Sequence, residues 1–235
     1  MKKFLFLVVV ACSMFTTSLV KGQNTPDKKF IYSLGDDESK AAFGKIPKEI
    51  SKQARAISKS GYKEYPGEST IERQLYQTSI LRIKSDLQGN HRFLMTTELA
   101  SAEDLIAGKH LAIMSAKLTL SGFISTSIAE ILATEIDVSN ISKSELASLT
   151  NLVSSSKGLI MQEITNLMVP FACYKELDNG YSSWITVAID KQAVYAKTKL
   201  AIKEAMVNDA DNLEPILNEV FEELTKKKYS ELNQE

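Results

Sequence analysis

Two histidines, two cysteines, a spread of carboxylates and eight tyrosines are the side chains through which this chain can act chemically. His91 and His110 share no HExxH, HxH or CxxC context, so their spacing assembles no zinc site. His91 falls in an expected turn and His110 on an expected long helix, and each reads as a surface or satisfied histidine. Cys173 sits in the apolar run "VPFACY" and reads as a small buried hydrophobe. GxGxxG, GxxxxGK[ST] and GxSxG are absent, which removes the nucleotide-loop and serine-hydrolase signatures. Glu98, Glu103 and Asp104 are acidic neighbours, but acids at a helix start are explained by the helix dipole. Pairing of carboxylates for glycoside hydrolysis is a spatial matter, and nothing in the chain points to such a pair. Tyr62, Tyr65 and Trp184 are the candidate interaction residues, although aromatic side chains more often fill cores or sheet faces. No catalytic, cofactor-binding or metal-ligating residue is expected, and no enzyme.

The stretch "GYKEYPGESTIERQL" holds the densest cluster of conformationally special residues. Gly61 is placed to end a helix that Pro47 opens and that carries Ile50, Ala54 and Ile57. "YKEY" is short and can be extended. Pro66-Gly67 fits a type II turn, where proline presets φ and glycine takes the positive φ. Ser69 and Glu72 then spell a capping box, with the serine as N-cap. The following helix runs through Leu75, Tyr76, Ile80, Ile83 and Leu87. Turn and cap chemistry account for the whole stretch as a joint between two helices; the competing reading is a ligand-gripping loop built on Tyr62 and Tyr65.

These residues belong to a chain of 235 residues, 44% hydrophobic and 24% charged, an ordinary globular composition. Lys2 and Lys3 precede "FLFLVVVA", and small residues follow to Gly22. A basic start, a short apolar run and small residues describe a secretory signal peptide over 1–22, cut before Gln23 with Val20 and Gly22 at −3 and −1. "VVAC" offers the alternative of a lipobox, with Cys12 as the lipidated residue. No later stretch is expected to be long and apolar enough to span a membrane. Removal of Lys2, Lys3 and Lys21 reduces 28 basic residues to 25 against 29 acidic ones, a net charge of −4. A mildly acidic chain lacks the footprint of a nucleic-acid binder. With Cys12 removed, Cys173 has no partner for an intrachain disulfide.

Periodicity then sets the elements. Residues 23–46 read as a loose polar arm, 47–90 as a helix-turn-helix segment packed on the main domain, 91–207 as that α+β domain, and 208–235 as a C-terminal helix. "RFLMTTEL" (92–99) reads as a strand. Ser101, with Glu103 and Asp104, opens a long helix over 102–136, with Ile106, Ile113, Leu120, Ile124, Ile128 and Ile131 on its apolar side and glycines at 108 and 122. After "DVSNIS" a second helix over 144–166 makes an αα-hairpin with it. Strands over 169–177 and 181–189 flank "DNG", where Asn179-Gly180 predicts a type I′ hairpin turn. Ile185, Val187 and Ile189 alternate with Trp184, Thr186 and Ala188, and Pro170 implies a late start or an edge strand. Asp190 can cap a helix to Val207, and Leu213 to Leu224 mark the last one. The expected class is α+β, with a small, mainly antiparallel three-stranded sheet packed with helices.

Four segments, "QARAISKSGYKEYPGESTIERQL", "KLTLSGFIS", "SSKGLIMQEI" and "CYKELDNGYSSWITVAID", resemble a group of exported envelope proteins of Bacteroidota that have no assigned function. The shared pattern is an aromatic (Tyr62) before a Pro-Gly turn (Pro66, Gly67), then a helix opening with E-x-Q-L (Glu72, Gln74, Leu75). The second half is similar to the lipoprotein-twenty family of small envelope lipoproteins, with its strand, long alanine-rich helix and hairpin. The likeness covers most of 48–206 and includes no catalytic motif. The polar "TTELAS" departs from relatives that tend to carry glycine after the strand. The resemblance implies a fold and a compartment: exported, in the periplasm, associated with the outer membrane, or extracellular. The expected function is a non-enzymatic envelope protein acting through contacts with another envelope protein or a cell-wall component, without a cofactor. The alternative is a periplasmic module binding a small molecule or lipid between sheet and hairpin.

Overall fold

The computed structural model describes residues 45–86, 89–134, 147, 149–153, 156–205 and 210–226. The expected signal peptide, Cys12, nearly all of the polar arm, the "DVSNIS" break and the tail after Lys226 lie outside the described residues. The elements run α1 (Lys48–Lys59), β1 (Tyr62–Glu64), α2 (Ile71–Ile83), β2 (Phe93–Ala102), α3 (Leu105–Thr134), α4 (Lys157–Glu163), β3 (Met168–Leu177), β4 (Gly180–Asp190), α5 (Lys191–Ala205) and α6 (Ala210–Lys226).

The class is α+β, and the sheet has four antiparallel strands in the order β1-β3-β4-β2. The strand added to the expected three is β1, the "YKE" of the joint, which pairs Tyr62, Lys63 and Glu64 with Lys175, Tyr174 and Cys173. It makes β3 an inner strand there. Pro170, which has no N–H to donate, falls where the β3–β4 register shifts between Met168 and Phe171.

Strand alternation divides the core. Leu94, Ala172, Ile185, Val187 and Ile189 face α3, and Phe171, Cys173 and Trp184 face α1 and α2. Phe93, Met95 and Ala188 pack with Leu81 on that second face. On α3 the line Gly108, Ala112, Ala116, Leu120, Ile124, Ile128 and Ile131 is buried. Ile106, expected on the same apolar side, is instead 64% exposed. The helix turns by about 100° per residue, so Ile106 falls off the buried line that Ala112 and Ala116 define. Small residues on that line let α3 come close to the sheet. A Cβ added at Gly108 would lie 2.7 Å from Ser183 Oγ and 3.8 Å from the Ala102 Cβ.

The expectation about membrane-length stretches needs correction. Leu105–Thr134 is 30 residues long and apolar enough to cross a membrane by length and composition. Lys109, Lys117 and Glu130 are its charged side chains. Close to half of its most apolar window is buried against the rest of the fold.

One helix start also shifts from expectation. Ser101 belongs to β2, and Asp104 caps α3, its Oδ1 accepting from the Ile106 and Ala107 N–H groups at 2.9 Å each. The strand runs on to Ala102 because β4 offers a partner that far, Tyr181. Asp190 caps α5 as its sequence position implies, accepting from the Ala193 N–H at 3.1 Å. The second arm of the αα-hairpin is described only in part. Residues 149–153 are helical, α4 is a separate helix packed against α3, and the strand-side end stops at Glu163 rather than 166. Lys191, at the start of α5, is buried and donates to the Thr225 carbonyl at 2.9 Å, tying α5 to the last turn of α6.

Candidate functional site

The joint is built by backbone conformation first. Gly61 takes φ +93° after α1, where the Ser60 N–H bonds back to Ala56 and Ile57. Glu68 N–H donates to the Tyr65 carbonyl at 3.0 Å, and Gly67 has φ +83°, so Tyr65-Pro66-Gly67-Glu68 has the geometry of a type II turn. The helix cap differs from the expected box. Thr70, not Ser69, is the N-cap and accepts from the Arg73 N–H at 3.3 Å. Glu64 accepts from the Ile71 N–H at 3.1 Å and so satisfies the first donor of the helix, whereas the box has Glu72 reach back to the Ser69 N–H. Both Ser69 and Thr70 carry a hydroxyl that can cap, and the path of the chain out of β1 selects the second.

Gln74 locks the joint to the sheet. Its Nε2 donates to the Ser69 carbonyl and its Oε1 accepts from the Ala172 N–H, both at 2.6 Å. The side chain is buried and serves β3 where β1 has already ended. Between α1 and the joint lies a shallow groove of about 380 Å³, lined by Ser51, Arg55, Ser58, Lys59, Glu64, Thr70 and Glu72 among others. Its walls carry both signs of charge and several hydroxyls.

Tyr62 and Tyr65 go to opposite faces of the sheet, so they do not form one aromatic platform. Tyr62 is half-buried, its ring 5.4 Å from Trp184, which in turn packs edge-on with Phe171. Tyr65 is 5% exposed, donates its hydroxyl to Ser183 Oγ, and stacks at a tilt on Tyr174. Lys109 lies 4.8 Å over the Tyr65 ring and pairs with Glu68 at 2.9 Å, tying α3 to the Pro-Gly turn. Burial pushes the pKa of both phenols above the ordinary tyrosine value, against the lowering effect of Ser182 on Tyr62 and Ser183 on Tyr65.

The hairpin turn also departs from type I′. The loop residues are Asp178 and Asn179, Leu177 pairs with Gly180, and among the described residues only glycines have positive φ. A type I′ turn needs positive φ at both loop residues. Gly180 itself has φ +128°, which makes the arrangement an unprimed turn closed by a glycine, as in a G1 bulge. Its Cα also abuts the end of β2: an added Cβ would lie 2.3 Å from the Ala102 carbonyl oxygen.

The remaining reactive side chains are held in structural roles. Cys173 is fully buried, and desolvation first, then Glu64 opposite it in the register, pushes its thiol up to about 12. His91 Nδ1 lies 2.9 Å from the Arg82 carbonyl. Glu98 is engaged by Thr119 at 2.8 Å and Ser115 at 3.1 Å. Among the described residues no cluster of histidine, cysteine and carboxylate side chains is arranged to hold a metal ion. Sequence reasoning missed Gln74 as the lock and the groove beside it; the E-x-Q-L element was the one signal that touched Gln74. Comparison of the chain with protein-family models, curated proteins and solved structures finds no match.

Proposed function

We propose that this protein is exported and acts without catalysis, through contacts with another envelope protein or a cell-wall component. The observation that carries this reading is the distribution of space. The interior between sheet and α3 is filled by side chains such as Leu120, Ile124, Ile185 and Val187, each buried to 2% exposure or less. The concavity at the joint is shallow and lined by Arg55, Lys59, Glu64 and Glu72. An enclosed apolar cavity favours a lipid or small-molecule carrier, whereas a shallow surface with both charges suits a polar segment of a macromolecule. The type II turn, the Gln74 lock and the Lys109–Glu68 pair fix the joint that forms one wall of that surface.

The test is site-specific photocrosslinking in intact secreting cells, with the crosslinker at Ser58 in the groove and, as control, at Leu200 on the exposed side of α5. Adducts to an envelope protein or to peptidoglycan from Ser58 and not from Leu200 are the expected result. Adducts from neither position, with the protein correctly exported and folded, would overturn the reading.

A further inference from the structure

We infer that the open flank made by β2 and α3 docks a second copy of this chain, the two β2 strands pairing antiparallel about a twofold axis at Leu99. This goes beyond the proposed function and uses a different surface. The argument begins with strand parity. Lys191 N–H donates to the Arg92 carbonyl, which places the β4-directed backbone groups of β2 on the even-numbered residues. The N–H and C=O groups of Thr97, Leu99 and Ser101 therefore point to the other side, where the described residues offer β2 no neighbouring strand.

Natural edge strands are usually blunted by lysine, proline or a bulge. "FLMTTELASA" has none of these, and its pairing with β4 runs without a register break. Its one charged side chain, Glu98, is turned onto α3 and engaged by Ser115 and Thr119. Ser115 also fixes which side of α3 overlooks the edge. Leu111 and Leu118 lie one turn before and after it, and with Ala107 and Met114 they form a stripe at helical spacing. Leu111, Met114 and Leu118 are 52%, 49% and 49% exposed, and Leu99 on the strand is 53% exposed.

Strand and stripe share a centre. Gly108 sits over Ala102 and Ser183, and Ser183 is the register mate of Ala100. Ser115 and Thr119 reach Glu98. The middle of the stripe thus lies at the level of Leu99, so one twofold axis there centres both the strands and the helices. In that register Leu99 meets Leu99 of the second copy, Thr97 meets its Ser101, and Glu98 meets its Ala100. A register centred on Glu98 would set two carboxylates face to face, which is unfavourable.

Sedimentation of the purified protein across a concentration series tests this directly. The expected result is a monomer–dimer equilibrium that Leu99→Lys, and separately Leu111→Glu with Leu118→Glu, shifts at least tenfold toward monomer while thermal melting stays cooperative. Should those variants misfold, cysteine pairing decides. In a Cys12→Ser background, Leu99→Cys should oxidise to a covalent dimer, because facing residues sit about 5.5 Å apart, within disulfide reach. Ser101→Cys should not, because the same register separates its two copies by roughly 13 Å. A wild-type protein that stays monomeric, a dimer indifferent to both sets of variants, or equal crosslinking at positions 99 and 101 would each overturn the inference. The groove adducts from Ser58 are independent of all three outcomes.

Discussion

Cys173 and Gln74 show how much a single side chain carries here. The thiol is fully buried and pushed up to about 12, from 9.0 for a free thiol. An acid whose folded-state value is raised stabilises the fold fully below its unfolded value and loses that contribution as pH climbs to the folded one. Between pH 9 and 12 the unfolded chain has released the proton that the folded chain keeps. Stability should therefore fall with a slope of up to about 1.4 kcal/mol per pH unit from this group. Tyr62 and Tyr65, both raised, add the same sign above pH 10, and the lowered Lys191 adds the opposite sign below 10.5. Chemical denaturation at pH 8 and pH 10.5 should accordingly show a smaller alkaline loss in Cys173→Ala than in wild type; equal losses would mean the thiol is reached by water. Gln74 is argued from satisfaction instead. Gln74→Ala leaves the Ala172 N–H and the Ser69 carbonyl without their partner, at a cost of about 1–3 kcal/mol. Hydrogen exchange at Ala172 should accelerate more than at Val187 on β4; uniform acceleration would place the loss elsewhere.

Two elements pass each other closely, and glycine marks the places. Gly67 and Gly180 both have positive φ, but a Cβ at Gly67 meets nothing within 4 Å whereas one at Gly180 runs into the Ala102 carbonyl. Gly67→Ala should cost about 1 kcal/mol in backbone strain alone, and Gly180→Ala distinctly more, read as the difference in denaturation midpoint. Similar costs would argue against the β2–β4 junction described here. Gly108 has no positive φ, and its role is close approach: a Cβ there strikes Ser183 Oγ, which also takes the Tyr65 hydroxyl bond. Gly108→Ala should destabilise wild type more than it destabilises Ser183→Ala, where the oxygen is gone, with a coupling of roughly 0.5–3 kcal/mol in the double-mutant cycle. Additive effects would refute the contact. The same elements show what was legible in advance. The alternation Ile185-Val187-Ile189 against Trp184 and Ala188, the Pro-Gly turn and the Asp190 cap follow from spacing and turn chemistry, which are local. β1 was hidden because three residues are too few to show a period, and its pairing with β3 is a tertiary event. Thr70 over Ser69, and Asp104 over Ser101, were decided by chain path between residues that can all cap. The Gln74 lock and the exposed stripe on α3 have no local signature, since an apolar side chain on a helix reads the same whether it faces the core or solvent.

At the scale of the whole molecule the open matter is how the chain reaches its site of action, and two routes leave different covalent products. Lys2 and Lys3, the apolar run to Ala11 and the small residues before Gln23 suit cleavage after Gly22. Cleavage there removes Cys12, leaves buried Cys173 as the remaining thiol, and gives a net charge of −4. Lipidation would instead make Cys12 the first residue and add acyl chains that partition into a bilayer at about 0.8 kcal/mol per buried CH₂. Apolar α3 complicates a simple fractionation, since it meets the length and composition of a span and exposes Leu111, Met114 and Leu118. The covalent product is therefore the sounder measure. Intact-mass analysis of the protein from a secreting host should return a chain beginning at Gln23, free of acyl mass, and Cys12→Ser should leave both that mass and the distribution between soluble and membrane fractions unchanged. An acylated Cys12 at the N-terminus, with the membrane-bound fraction abolished by Cys12→Ser, would establish the lipoprotein route.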